Sequence, residues 1–199
     1  DKLEKKHGHR KATLIMHTEP SDQEGPNLIS AAEMLKIQNN VFYSRERLEF
    51  EKMNILYNIS DFCLNISYAE GFGLPTLEGM QAGVPMVAAK TGGLTRQVVD
   101  HRDGSHNGVA LDVELQTLVG SQQVPYIYED YVSCESVADG IMKIHSLDDM
   151  ARKKLKKKVR EYALTQFSYS KTIDDWHDGL ISLHKTWKDN YTRWKSFSF

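Results

Sequence analysis

Short apolar runs alternate with longer amphipathic stretches along most of this chain, which predicts strands interleaved with helices. Ala12-Thr13-Leu14-Ile15-Met16-His17, Val41-Phe42-Tyr43, Asp61-Phe62-Cys63-Leu64-Asn65-Ile66, Val84-Pro85-Met86-Val87-Ala88-Ala89 and Val109-Ala110-Leu111 read as strands. Between them, Leu28 to Ile37 carries Leu28, Ala31, Ala32 and Leu35 at helical spacing, and Leu48 to Ile59 carries Leu48, Met53, Leu56 and Tyr57. A helix follows Pro75, and a short one runs from Leu94 to Val99. Parallel strands covered on both faces read as continuous apolar runs. The expected fold class is therefore α/β, a doubly wound, Rossmann-like parallel sheet with helices on both sides.

Toward the carboxyl end the pattern changes. Glu114 to Pro125 has no clear periodicity and reads as loop, while Tyr126-Ile127-Tyr128-Glu129-Asp130-Tyr131-Val132 alternates and reads as an added edge strand. Ser133 or Ser136 caps a helix through Ile144, and Asp148-Asp149 begins another toward Thr165, with acids first and bases later as the helix dipole prefers. Ile173, Trp176, Leu180, Leu183 and Trp187 then mark one face of a long amphipathic helix between Ser168 and Lys188. At the other end, Asp1 to Gly8 looks like the close of a helix whose start lies upstream.

Composition adds exclusions rather than a function. A net charge of −2 over 199 residues gives no field to recruit nucleic acid or a membrane. Cys63 and Cys134 have no metal-like spacing and read as free thiols of a reducing compartment, so a cytoplasmic location is expected. The run Arg152 to Lys158 is the solvated face of a helix on which Leu155 and Val159 point inward. His177 and His184 share a helix face without a companion ligand, and among the histidines only His17, at a strand end, stands on the ligand rim. No D-x-D occurs, which argues against a glycosyltransferase architecture that holds its diphosphate through a metal.

The chemistry gathers between Asn65 and Ala88. An apolar run, a glycine-rich turn and a proline suited to a first helical turn make a strand, loop and helix unit. Gly71 and Gly73 allow backbone to approach a ligand, and the first helical amides favour a phosphate. Glu70 stands at the carboxyl end of the strand, where open α/β sheets bind ligands. Glu78, one turn into the helix, can accept two hydrogen bonds from a vicinal diol such as a ribose. Thr76 stands where a dinucleotide fingerprint needs its third glycine, and no G-x-x-x-x-G-K-[ST] is present.

Glu70-Gly71-Phe72-Gly73-Leu74-Pro75-Thr76-Leu77-Glu78-Gly79-Met80, followed by Gly83-Val84-Pro85-Met86-Val87 and Gly92-Gly93, resembles the E-x7-E signature of retaining GT-B glycosyltransferases, the group 1 family that includes sucrose synthases and mannosyltransferases. The resemblance runs from about Ala12 to Ile144 and implies the carboxyl-terminal, donor-binding domain of a GT-B fold. It implies a retaining transfer from a uridine- or guanosine-diphosphate sugar, without metal or other cofactor, to an unspecified acceptor. Glu70 would lie beside the donor sugar as the catalytic carboxylate, and Gly71, Phe72, Gly73 and Leu74 would meet sugar and diphosphate. Glu78 would hold the ribose, and Tyr43 and Ser44 sit where relatives contact the base. The family also places an arginine and a lysine on the diphosphate, from elements the resemblance puts ahead of Asp1. Positions 1–167 would then be a donor domain lacking its first strand, and 168–199 a helix crossing to an amino-terminal partner domain. A non-catalytic sugar-nucleotide module, and another GT-B enzyme such as an epimerase or phosphorylase, are the competing readings.

Overall fold

A computed structural model describes residues 1–9, 11–23 and 25–192. Helix α1 (Lys2–His7) closes on Gly8 and is tied through Lys2 to Glu135 and Asp139. Strand β1 (Leu14–His17), helix α2 (Leu28–Met34), a 3-10 turn at Gln38–Asn40 and strand β2 (Val41–Ser44) make a first unit, with β1 and β2 parallel and in register from Leu14 opposite Val41. Helix α3 (Phe50–Asn58) leads to strand β3 (Cys63–Asn65), helix α4 (Leu74–Gln81), strand β4 (Met86–Ala89), helix α5 (Leu94–Val98) and strand β5 (Gly108–Leu111). Strands β3, β4 and β5 form a parallel sheet in that order. The chain is thus α/β with helix-connected parallel strands, as expected, but among the described residues the strands form two parallel ladders that do not hydrogen-bond to each other.

Strand β4 is the centre of the core. All four of its residues are buried, and their alternating side chains divide between two apolar clusters. Met86 and Ala88 pack with Leu77 and Met80 of α4, Val98 of α5, and Val159, Tyr162 and Ala163 of helix α7 (Asp149–Gln166). Val87 points the other way, joining Val109 and Leu111 of β5 and Ile144 of helix α6 (Cys134–His145). Helices therefore cover both faces, which is why this run is apolar at every position.

The segment after β5 corrects two expectations. Leu115–Val119 is a strand, β6, where a loop is expected, and its partner β7 (Ile127–Tyr131) is no edge of the parallel sheet but pairs antiparallel with β6 alone. Neither strand has a buried residue, so no face imposed a period of two on Leu115 to Val119. Helices α6 and α7 are capped by Ser133 and Asp148, whose side chains accept from Ser136 N and Ala151 N. Part of the basic run on α7 has structural work. Arg152 reaches Asp61 and Lys158 donates to the His106 carbonyl at 3.0 Å, while Lys153, Lys154 and Lys157 are exposed. Helix α8 (Tyr169–Asn190) has its expected start at Ser168. Trp176, Leu180 and Leu183 are more than half exposed on it, and positions 193–199 of the expected crossing segment lie outside the described residues.

Candidate active site

The expected strand, loop and helix unit is present as β3, residues 66–73, and α4. Asn65 ties its two ends together, donating from its amide to Thr76 Oγ1 at 3.0 Å and accepting from the Ser67 N–H at 3.1 Å. Gly73 sits at the head of α4 with φ of +87°, a left-handed conformation natural to glycine, and a Cβ there would meet Leu94 Cδ2 at 2.6 Å. Leu74 and Pro75 form the first turn, and no side chain caps it.

A second loop closes on the first. Gly93 donates its N–H to the Glu70 carbonyl at 3.3 Å, and a Cβ on Gly92 would stand 1.8 Å from that same oxygen. Helix α5 starts at Gly93, again without a side-chain cap. Of the other helices, α2, α6, α7 and α8 are capped by Asn27, Ser133, Asp148 and Ser168, while α1 and α3 have no side-chain cap either. The start of α5 is closed by backbone, with Gly93, Leu94 and Thr95 donating to the Glu70, Thr91 and Gly92 carbonyls, so the open helix start in the loop after Glu70 is that of α4. Positive partial charge and unpaired N–H groups concentrate there, a local electrostatic setting that favours an anion.

Glu70 is partly buried, and among the described residues no side chain hydrogen-bonds to its carboxylate. Glu78 is partly buried on α4 and accepts the Tyr57 hydroxyl at 2.8 Å. Burial, reinforced by Glu78, pushes the Tyr57 phenol well above its ordinary range, so it stays a donor at any working pH. Phe72 is partly exposed, its ring edge-on to Phe167 with centroids 6.1 Å apart. Tyr43 and Ser44 end the separate β1–β2 ladder. The Tyr43 hydroxyl donates to the Leu28 carbonyl at 2.9 Å, and Ser44 Oγ meets His17 Nδ1 at 3.0 Å, so both already serve cross-links of that unit.

Several supporting residues carry no sequence signal. Gln97 is fully buried and donates from Nε2 to the Phe72 carbonyl at 2.5 Å, holding the loop from beneath. Tyr57 and Asp130 act in the same way, the first on Glu78 and the second, through its N–H to the Tyr68 carbonyl, on the loop before Glu70. Periodicity reveals a buried glutamine only as a break in an apolar face, and a short helix such as α5 offers too few turns for that. Cys63 lies behind α4 with its thiol pushed up to about 11 by burial, which leaves it inert. Two clefts stand out elsewhere. One of about 490 Å³ lies between the 100–103 loop and α7, and an apolar one of about 210 Å³ lies between Ile66 and α6; neither is lined by Glu70 or Glu78. Among the described residues no cluster of three or more histidine, cysteine or carboxylate side chains could hold a metal, and no helix is long and apolar enough to cross a membrane.

An α/β domain with an open helix start after a parallel strand has the architecture in which ligands bind at the carboxyl ends of the strands. The model of the family "Glycosyl transferases group 1" matches residues 21–163, and the chain belongs to that family. A D-inositol 3-phosphate glycosyltransferase 2 from Catenulispora acidiphila is 43% identical over 49 residues, 25% of this chain and 12% of that protein. The matched stretch is therefore a small part of that relative's length. Among solved structures, the carboxyl-terminal domain of a group 1 glycosyl transferase, LpcC, from Francisella tularensis superimposes with a TM-score of 0.59 at 19% identity, covering 84% of this chain and 74% of that one. Anabaena HepE, solved with UDP and glucose, gives a TM-score of 0.57 at 18% identity, covering 92% of this chain and 52% of that one. These likenesses establish the GT-B type of fold.

Proposed function

We propose that this chain is the donor-binding half of a retaining glycosyltransferase, taking a sugar from a nucleoside-diphosphate sugar. The observation that carries the reading is the uncapped start of α4 at Gly73, in the loop that also holds the Glu70 carboxylate, which has no side-chain partner among the described residues. The amides of residues 71–74 would stabilise charge developing on the leaving diphosphate, as preorganised dipoles do where water is excluded. Glu70 would face the positive charge developing at the anomeric carbon, so that the configuration there is retained. Glu78, already fixed by Tyr57, would accept the ribose hydroxyls, and Tyr43 and Ser44 would border the base. Neutralisation by helix amides and by basic side chains from outside this chain needs no metal in this scheme. The exposed face of α8 fits the same reading, as the segment that docks on an amino-terminal domain supplying the acceptor contacts. Two free thiols fit a cytoplasmic setting.

The test uses the full-length protein that carries this chain, with a panel of uridine-, guanosine- and adenosine-diphosphate sugars. Glu70→Gln should abolish transfer and donor hydrolysis while leaving nucleoside-diphosphate affinity and melting temperature near wild type. Glu78→Gln should instead weaken nucleotide binding. Wild-type turnover in Glu70→Gln would overturn the assignment.

A further inference from the structure

The larger of the two clefts outside the candidate site, about 490 Å³, is walled by α7 on one side and by the 100–103 turn on the other. Its size falls within the range of small-ligand sites, roughly 300–1,000 Å³. Lys154, Lys157, Lys158 and Glu161 face it from α7, where spacings of three and four residues put them on one side of the helix. Asp100, Arg102 and Asp103 face them from the turn, and the buried Tyr162 lines the cleft too, with the Arg102 guanidinium 5.2 Å from its ring centroid.

Most of these charges are already matched. Arg102 donates from Nε and Nη2 to Asp100 at 3.0 and 2.8 Å. Lys158 and Asp103 meet through one hydroxyl, that of Ser105, which accepts from Lys158 Nζ and donates to Asp103 Oδ1, each at 2.5 Å. Two lysines and one glutamate are left over. Among the described residues neither the Lys154 nor the Lys157 ammonium has a hydrogen-bond or ion-pair partner, and no donor reaches the Glu161 carboxylate. Like charges one turn apart weaken a helix, so nothing in the fold calls for the lysine pair. An anion seated between the two would take up both charges, and a hydroxyl on the same molecule would give Glu161 its donor. A lipid surface fits less well, because anionic bilayers favour an unbroken basic face and three carboxylates stand in this cleft.

We propose that the cleft between α7 and the 100–103 turn binds a phosphate monoester of a small polyol, with Lys154 and Lys157 on the phosphate and Glu161 on a hydroxyl. The cleft is not lined by Glu70, Glu78 or residues 71–74, so the proposal does not depend on the donor-site reading. It is tested on the full-length protein at constant ionic strength, with saturating uridine diphosphate present to occupy any nucleotide site. Calorimetry with glycerol 3-phosphate and inorganic phosphate is set beside sedimentation with phosphatidylglycerol vesicles. Lys154→Ala combined with Lys157→Ala, and Glu161→Ala alone, are compared with wild type; the three positions are exposed, so melting temperatures should stay near wild type. Wild type should bind glycerol 3-phosphate more tightly than inorganic phosphate. The double substitution should weaken both about tenfold, and Glu161→Ala should remove the preference for glycerol 3-phosphate. Unchanged affinity in the lysine variant, or equal affinity of wild type for the two soluble probes, would overturn the proposal. Failure of wild type to bind either soluble probe would overturn it as well, and vesicle retention in that case would assign the lysines to a lipid surface.

Discussion

Gly92 carries more of the site's geometry than either glutamate. Its φ of +46° is left-handed, and the Glu70 carbonyl occupies the place where any side chain would begin. A residue with a Cβ meets conformational strain and a backbone clash together, so Gly92→Ala should cost about 3 kcal/mol. Gly104 separates the two effects, having φ of +73° and nothing within 4 Å of a Cβ, so Gly104→Ala should cost only about 1 kcal/mol. Equal losses in urea unfolding would show that the contact with Glu70 does not constrain the loop. Asp100 gives a pH-dependent case. Its side chain is buried and accepts from Arg102 N, Nε and Nη2, and these bonds outweigh burial to hold its pKa below the ordinary 3.8. The folded state therefore releases this proton more readily than the unfolded chain. The stabilisation is complete above the unfolded value and disappears as pH falls through the folded one. Because Arg102 is half exposed, Asp100→Asn should cost about 1.5 kcal/mol at pH 7, and the gap to wild type should narrow below pH 4 in denaturant titrations.

The elements that could be read from sequence are those whose own residues state their boundaries. Ser133, Asp148 and Ser168 are side-chain caps, and the helices after them begin where those caps predict. Met86 to Ala89 is apolar at every position because both faces are covered, and that run was legible for the same reason. Glu70, the glycines after it and Glu78 are legible as a spacing, and they fall in the loop after β3 and in α4. What stayed hidden depends on partners distant in sequence. Strand β6 exists because Leu115 to Val119 lies opposite Tyr131 to Ile127, an arrangement no local pattern specifies. Gln97 under Phe72 and Tyr57 against Glu78 are likewise meetings of separate elements. The six bases from Arg152 to Lys158 read as solvated on charge alone, yet two of them, Arg152 and Lys158, reach Asp61 and the His106 carbonyl in loops.

Stability across the molecule must be uneven, because burial is. Strand β4 is enclosed between α4, α5 and α7 on one side and α6 on the other, whereas no residue of β1 or β2 is buried. Among the described residues the two parallel ladders share no hydrogen bonds, so the first can open without breaking the second. Helix α8, with 22 residues, is the longest in the described chain, yet its described side chains are nearly all exposed. Helix length gives only marginal stability in water, and packing supplies most of the rest. Native-state hydrogen exchange on this chain should therefore rank β4 and β5 slowest, near the global unfolding free energy, with β1 and β2 faster. The amides of α8 should exchange faster than those of the shorter α7, which buries Val159, Tyr162 and Ala163. Docking of a partner domain on the aromatic face of α8 would reverse that last order and slow α8 more than α7, so the same measurement on the full-length protein reports whether that face is covered. If β1 and β2 exchange as slowly as β4 in the chain alone, the two ladders unfold as one unit and the division drawn from their separate pairing is wrong.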